Sequence, residues 1–95
     1  MKKKLFGVVY DTYGVKEVRF YIFGNKEQIE AILDSGELDD VFVTGERYTP
    51  ELIEIGEFTE QEAIEYASKQ GKILSIVYED GTGVDKFPKK FREGE

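Results

Sequence analysis

An α+β fold of element order ββαββαββ, an antiparallel sheet with two helices on one face, is what the 95-residue sequence predicts. Three observations carry this. Apolar and polar residues alternate over short runs bounded by glycine, aspartate and proline, the pattern of half-buried strands. Two later runs switch to helical spacing behind a capping residue. A slide of 35 residues lays the first strand, turn, strand and helix on the second, placing Val8 on Val43, Phe23 on Phe58, Ile29 on Ile64 and Gly36 on Gly71.

The first strand runs from about Lys4 to Tyr10 and turns through "DTYG" into "VKEVRFYIF", where Val18, Phe20 and Ile22 alternate with Arg19, Tyr21 and Phe23. Asn25 is placed to cap a helix from about Lys26 to Ser35, whose Ile29, Ile32 and Leu33 share one face, with Gly36 as a left-handed stop. A third strand is expected near Asp40 to Thr44, then a hairpin loop "GERYTP" and a strand "ELIEIGEF". Thr59 followed three residues later by Glu62 is a capping-box signature and opens a second helix that ends at Gly71. "KILSIVYEDG" reads as a fifth strand turning at "DGTG" into a sixth, which Pro88 confines to an edge.

Residues 1–95 thus read as one domain, with tandem units 4–36 and 39–71, a terminal hairpin 72–88 and a loose tail 89–95. Because both helices follow hairpins, the simplest packing puts them on one sheet face. The other face would then expose Arg19, Tyr21 and Phe23, a surface apolar enough to call for a second copy of the chain or a ligand.

Composition excludes more than it suggests. With no cysteine and no histidine, the chain has no disulfide, no thiolate metal site and no imidazole for acid-base work at neutral pH. Ser35, Ser68 and Ser75 have no such base to activate them. The sequence carries no Walker or dinucleotide fingerprint, and "DGTGVDKF" has one copy of a glycine–aspartate pattern that binds calcium only when copies stack, so it reads as a turn. Paired carboxylates are abundant, but sequence adjacency does not supply the shared dry pocket that splits their pKa values. No cofactor and no catalytic residue are expected. The apolar run near the start is broken by Gly7 and Asp11, too short for a leader or a membrane span, which predicts a cytoplasmic protein.

Charge is the informative feature. The formal net charge is −7, yet residues 27–65 hold thirteen acidic residues and one basic, Arg47. Residues 1–26 hold six basic and two acidic. Glu27, Glu30 and Asp34 fall on one face of the first helix, and Glu62 and Glu65 repeat that spacing on the second, an arrangement that costs each helix a few tenths of a kcal/mol. The reading that follows is a small, acidic, non-catalytic module that binds a protein partner with a basic surface, as inhibitors, immunity proteins and phage anti-defence proteins do. Its contacts would be Glu27, Glu30, Asp34, Glu62 and Glu65, with Tyr48 as an aromatic anchor in the hairpin loop. Two alternatives are a homo-oligomer holding a nucleotide-like ligand on Arg19, Tyr21 and Phe23, and a hydrolase with a metal held by carboxylates. A nucleic-acid patch on the lysines at the two ends is disfavoured by the acidity of the whole chain.

Overall fold

The computed structural model describes residues 2–41 and 43–86. The fold is mixed α+β: a five-stranded sheet, a separate two-stranded sheet and two helices. Strands β1 (Lys3–Thr12) and β2 (Val15–Gly24) form an antiparallel hairpin, helix α1 (Lys26–Asp34) follows, and the short β3 (Asp40–Val41) and β4 (Arg47–Tyr48) pair with each other. Strand β5 (Glu51–Phe58), helix α2 (Glu60–Gln70) and strands β6 (Leu74–Val77) and β7 (Gly83–Lys86) complete the described chain. In the large sheet the order is β5-β1-β2-β6-β7.

The sheet is not wholly antiparallel. β6 lies parallel to β2, with Tyr21 opposite Leu74 and Phe23 opposite Ile76. β5 is antiparallel to β1 on the far side, so β2, β5 and β6 all point the same way. The chain therefore makes two crossovers, β2 to β5 carrying α1 and β5 to β6 carrying α2. They travel across the sheet in opposite directions. Crossovers of one hand that run in opposite directions must lie on opposite faces.

That is where the helices are, which corrects the expectation of one shared face. α2 buries Ala63 and Ala67 against Leu5, Tyr21, Phe23, Leu74 and Ile76. α1 buries Ile29 against Phe6, Val8, Tyr10, Ile22 and Val77 on the reverse side. Every residue of β1 from Leu5 to Tyr10 is buried, the state of a strand covered on both faces. The 35-residue offset still lays β2 on β5 and α1 on α2. The counterpart of β1, however, is the two-residue β3 in the other sheet, so the offset relates a strand–helix pair rather than a whole ββα unit.

Local chemistry behaves largely as read. Gly36 and Gly71 take positive φ of 85° and 70° just past the helices. The Thr59 hydroxyl accepts from the Glu62 amide at 3.2 Å while a Glu62 carboxylate oxygen accepts from the Thr59 amide at 2.9 Å, a complete capping box. Asn25 stands at the first cap position, but its side chain makes no capping bond. Gln28 instead ties the start of α1 to the β6–β7 turn, its Nε2 donating to the carbonyls of Tyr78 at 3.2 Å and Glu79 at 2.9 Å. The loop expected at 45–50 contains β4, and the Pro88 edge and the 89–95 tail lie outside the described residues.

The β1–β2 turn departs from its usual chemistry. Thr12 pairs with Val15, leaving Tyr13 and Gly14 as a two-residue loop with φ of 53° and 84°. Positive φ at both positions defines the primed turn that matches hairpin twist, and asparagine–glycine is the pair that adopts it with least strain. Tyrosine in the first position is strained by its Cβ.

Candidate functional site

The structure separates the residues that the sequence grouped. Glu27, Glu30 and Asp34 are exposed on α1, and Glu62 and Glu65 are exposed on α2, so the two acidic runs face opposite sides of the sheet and form no joint surface. Glu62 is occupied by its capping box, and its two bonds to Thr59 hold the carboxyl below the ordinary glutamate value of 4.5. Tyr48 is half-buried in β4 rather than displayed on a loop. Its ring packs 6.4 Å from that of Tyr10, and its hydroxyl accepts from the Asp11 amide at 3.3 Å.

The aromatic sheet face proposed for a ligand is interior. Tyr21 and Phe23 are 5% and 2% exposed beneath α2. Tyr66 stands edge-on to Tyr21 at 5.4 Å, and burial pushes the Tyr21 hydroxyl pKa up. Arg19 is on the other side, because the β1–β2 register shifts between Val8 and Val9, bulging the chain at Arg19 and turning it to the face of Phe20. α2 already covers that face, so it calls for no second copy of the chain. A shift of register at one residue is invisible to an alternation count.

Much of the acidic middle is neutralised by the chain itself. Lys4 meets Glu54 at 3.3 Å and Glu57 at 3.2 Å, contacts that raise the lysine pKa, with Glu57 contributing most. Lys16 meets Glu51 at 3.7 Å, which covers the third carboxylate along the β5 edge. Arg47 pairs with Asp39 at 3.4 Å and Arg19 with Asp40 at 3.3 Å. The two adjacent aspartates thus point at different arginines, and among the described residues no group of three carboxylates converges as metal ligands do. Asp80 and Asp85 are likewise apart in role. Asp80 accepts from the Thr82 amide and hydroxyl, which depresses its pKa, while Asp85 accepts from the Ser75 hydroxyl at 2.6 Å.

Among the described residues Glu46, Glu60 and Glu65 stand singly without an ion pair, and a run of such carboxylates remains on α1 and the segment after it. Lys26 and Glu30 approach only to 3.9 Å, and among the described residues Glu27, Asp34 and Glu37 have no ion pair. α1 has an acidic residue in its first turn, which the helix dipole favours, but it ends on Asp34 with no basic residue in its last turn. α2 is the opposite case: Glu60 and Glu62 open it and Lys69 closes it, the arrangement the dipole stabilises.

The path of the chain extends this acidic helix toward the hairpin tip. α1 runs back from the Gly24 end of β2, and the segment after it crosses β1 where the Tyr10 hydroxyl donates to the Leu38 carbonyl. There the Arg19 guanidinium lies 3.9 Å from the centre of the Tyr10 ring while bonding Asp40. Burial raises the Tyr10 hydroxyl pKa, with Arg19 pulling the other way. Beyond it stand the exposed side chains of Tyr13, Val15, Val41 and Val43. A groove of about 330 Å³ lined by Thr12, Tyr13, Thr44 and Glu46 lies between the hairpin tip and the β3–β4 loop.

At the other end of the sheet, beyond the carboxyl ends of β2, β5 and β6, a cleft of about 440 Å³ is lined by Lys3, Phe23, Thr59, Glu60 and Tyr78 among others. Strand ends of this kind are frequent ligand sites in α/β sheets. Here one lysine faces one glutamate, and the cleft presents no dominant charge.

Among the described residues no helix is long and apolar enough to cross a membrane. Comparison with protein families, with characterised proteins and with solved structures finds no match to this chain.

Proposed function

We propose that the chain is a cytoplasmic, non-catalytic module that occupies a basic surface on a protein partner, and that it does so with α1 alone rather than with both helices. One observation carries this reading. Asp34 ends α1 against the helix dipole with no basic residue in the last turn, and among the described residues neither Asp34 nor the exposed Glu37 beyond it has an ion pair. Stability alone would place a lysine there. On β5, by contrast, the carboxylates pair with Lys4 and Lys16, and on α2 Glu60 and Glu62 stand in the first turn where the dipole favours them, with Glu62 also closing the cap, which leaves Glu65 as the carboxylate of α2 without such a role. A surface of exposed, unpaired charge speeds encounter with an opposite charge and loses strength with salt, over a screening length of about 8–10 Å in physiological buffer.

Two charge-matched double variants test this with a fluorescent, capped deca-lysine peptide, read by anisotropy at low and high salt. Glu30→Lys with Asp34→Lys changes net charge by the same amount as Glu60→Lys with Glu65→Lys. The α1 pair is expected to weaken binding about tenfold at low salt and the α2 pair by less than about threefold, given a few tenths to 1 kcal/mol per exposed charge contact. Equal losses in the two variants would mean that only net charge matters, and the assignment to α1 would fall.

A further inference from the structure

We propose that the groove between the hairpin tip and the β3–β4 loop binds an arginine side chain of the basic partner, stacked on Tyr13 and paired with Glu46. This rests on the reading of the chain as a binder of basic protein surfaces and names the specific contact within it. Four observations converge. Tyr13 is 99% exposed and Val43 fully so, so neither side chain contributes burial to the fold. Tyr13 also occupies a left-handed conformation that asparagine or glycine would hold with less strain, and strained residues without a structural return cluster at recognition sites. The groove of about 330 Å³ is lined by Thr12, Tyr13, Thr44 and Glu46, and Glu46 has no ion pair among the described residues. The molecule already shows the complementary arrangement a few residues away, where Arg19 lies over the Tyr10 ring and bonds Asp40. Tyr13 and Glu46 bring the same two kinds of group, a phenol ring and a carboxylate, to one groove, and no arginine lines it among the described residues.

The chemistry selects arginine over lysine. A guanidinium is planar, stacks on a tyrosine face and still directs its edge donors at a carboxylate, whereas an ammonium is a compact, strongly hydrated charge. Val15 and Val43, exposed and each within two residues of a groove residue in the chain, offer apolar surface for the alkyl stem of the incoming side chain. The groove also lies at the end toward which α1 carries its unpaired charge, so one basic surface is placed to meet the helix and insert an arginine at the tip.

The test uses the full chain and three capped decapeptides in which glycine alternates with arginine, lysine or citrulline, the last keeping arginine's shape without its charge. Amide shifts followed by NMR locate binding, and titration of each variant gives its affinity. The arginine peptide is expected to shift residues 12–14 and 43–46, the lysine peptide more weakly, and the citrulline peptide not at all. Tyr13→Asn and Glu46→Gln are each expected to weaken the arginine peptide about two- to fivefold, with Tyr13→Phe close to wild type. Unchanged affinity in both Tyr13→Asn and Glu46→Gln, or equal binding of the citrulline peptide, would overturn the groove. Shifts confined to residues 26–37 would also overturn it while leaving the acidic helix standing. Shifts at the tip without any on α1 would support the groove and remove the helix from the proposed surface.

Discussion

Replacing Tyr13 by asparagine should make the protein more stable, which is unusual for removing an aromatic side chain. At φ 53° the Cβ of an L-residue crowds the following carbonyl, at a cost of about 1–2 kcal/mol, and asparagine tolerates this region far better. The ring is 99% exposed, so its loss forfeits essentially no burial. The bonds that hold the turn are elsewhere: the Asp11 carboxylate accepts from the Gly14 amide at 2.9 Å, and Thr12 pairs with Val15. With most of the strain relieved, the gain is about 1 kcal/mol, or ~4–8 °C in Tm for a domain of this size. In urea the midpoint should rise by ~0.3–1 M with an unchanged slope. Tyr13→Ala is the control, since it removes the ring but keeps a Cβ in the strained conformation, and it should leave stability near wild type. If Tyr13→Asn melts at or below wild type and Tyr13→Ala, the ring or its conformation supports the fold, and strain ceases to be a reason to look for a partner there.

Two further outcomes follow from the packing and the caps. Ile29 is 0% exposed and is the fully buried residue by which α1 holds its face of the sheet, so Ile29→Ala should cost about 2–5 kcal/mol in equilibrium unfolding. The Glu62 carboxyl is held below 4.5, so the stability it lends α2 is complete above that unfolded-state value and fades as pH falls through its lower folded value. NMR titration should find Glu62 ionising below the ordinary glutamate value of 4.5, and Thr59→Ala should return it toward that value while destabilising the protein by about 1 kcal/mol.

The helices and the longer strands were legible because their signals are local, whereas the third strand, expected to reach Thr44, is the two-residue β3 and pairs with a β4 read as loop. Thr59 and Glu62 announce the start of α2 by their spacing, and Gly36 and Gly71 mark the helix ends because each sits where the chain turns left-handed. Strand order and helix side are set by pairings between residues far apart, such as Phe23 with Ile76, and no local pattern encodes those. One signal for two-sided cover was present: "LFGVVY" and "FYIF" are continuous apolar runs rather than alternating ones, the mark of strands buried on both faces. The bulge at Arg19 then parted three residues that alternation had placed together. Of the candidate site, the acidic side of α1 could be read from spacing. The exposure of Tyr13 could not, because a turn tyrosine in sequence gives no indication of whether a core or solvent receives it.

Asp34→Lys separates binding from folding at a single position. The substitution places a cation at the carboxyl end of α1, four residues after Glu30, where the two side chains can pair along the helix; dipole and pair together are worth about 0.5–1 kcal/mol. If α1 carries its charge for a basic partner, this variant melts ~2–8 °C higher than wild type while binding deca-lysine more weakly at low salt. A lower Tm, or a higher one with undiminished binding, would show that the carboxylate serves the fold or serves nothing, and would contradict the assignment of α1 as the binding face.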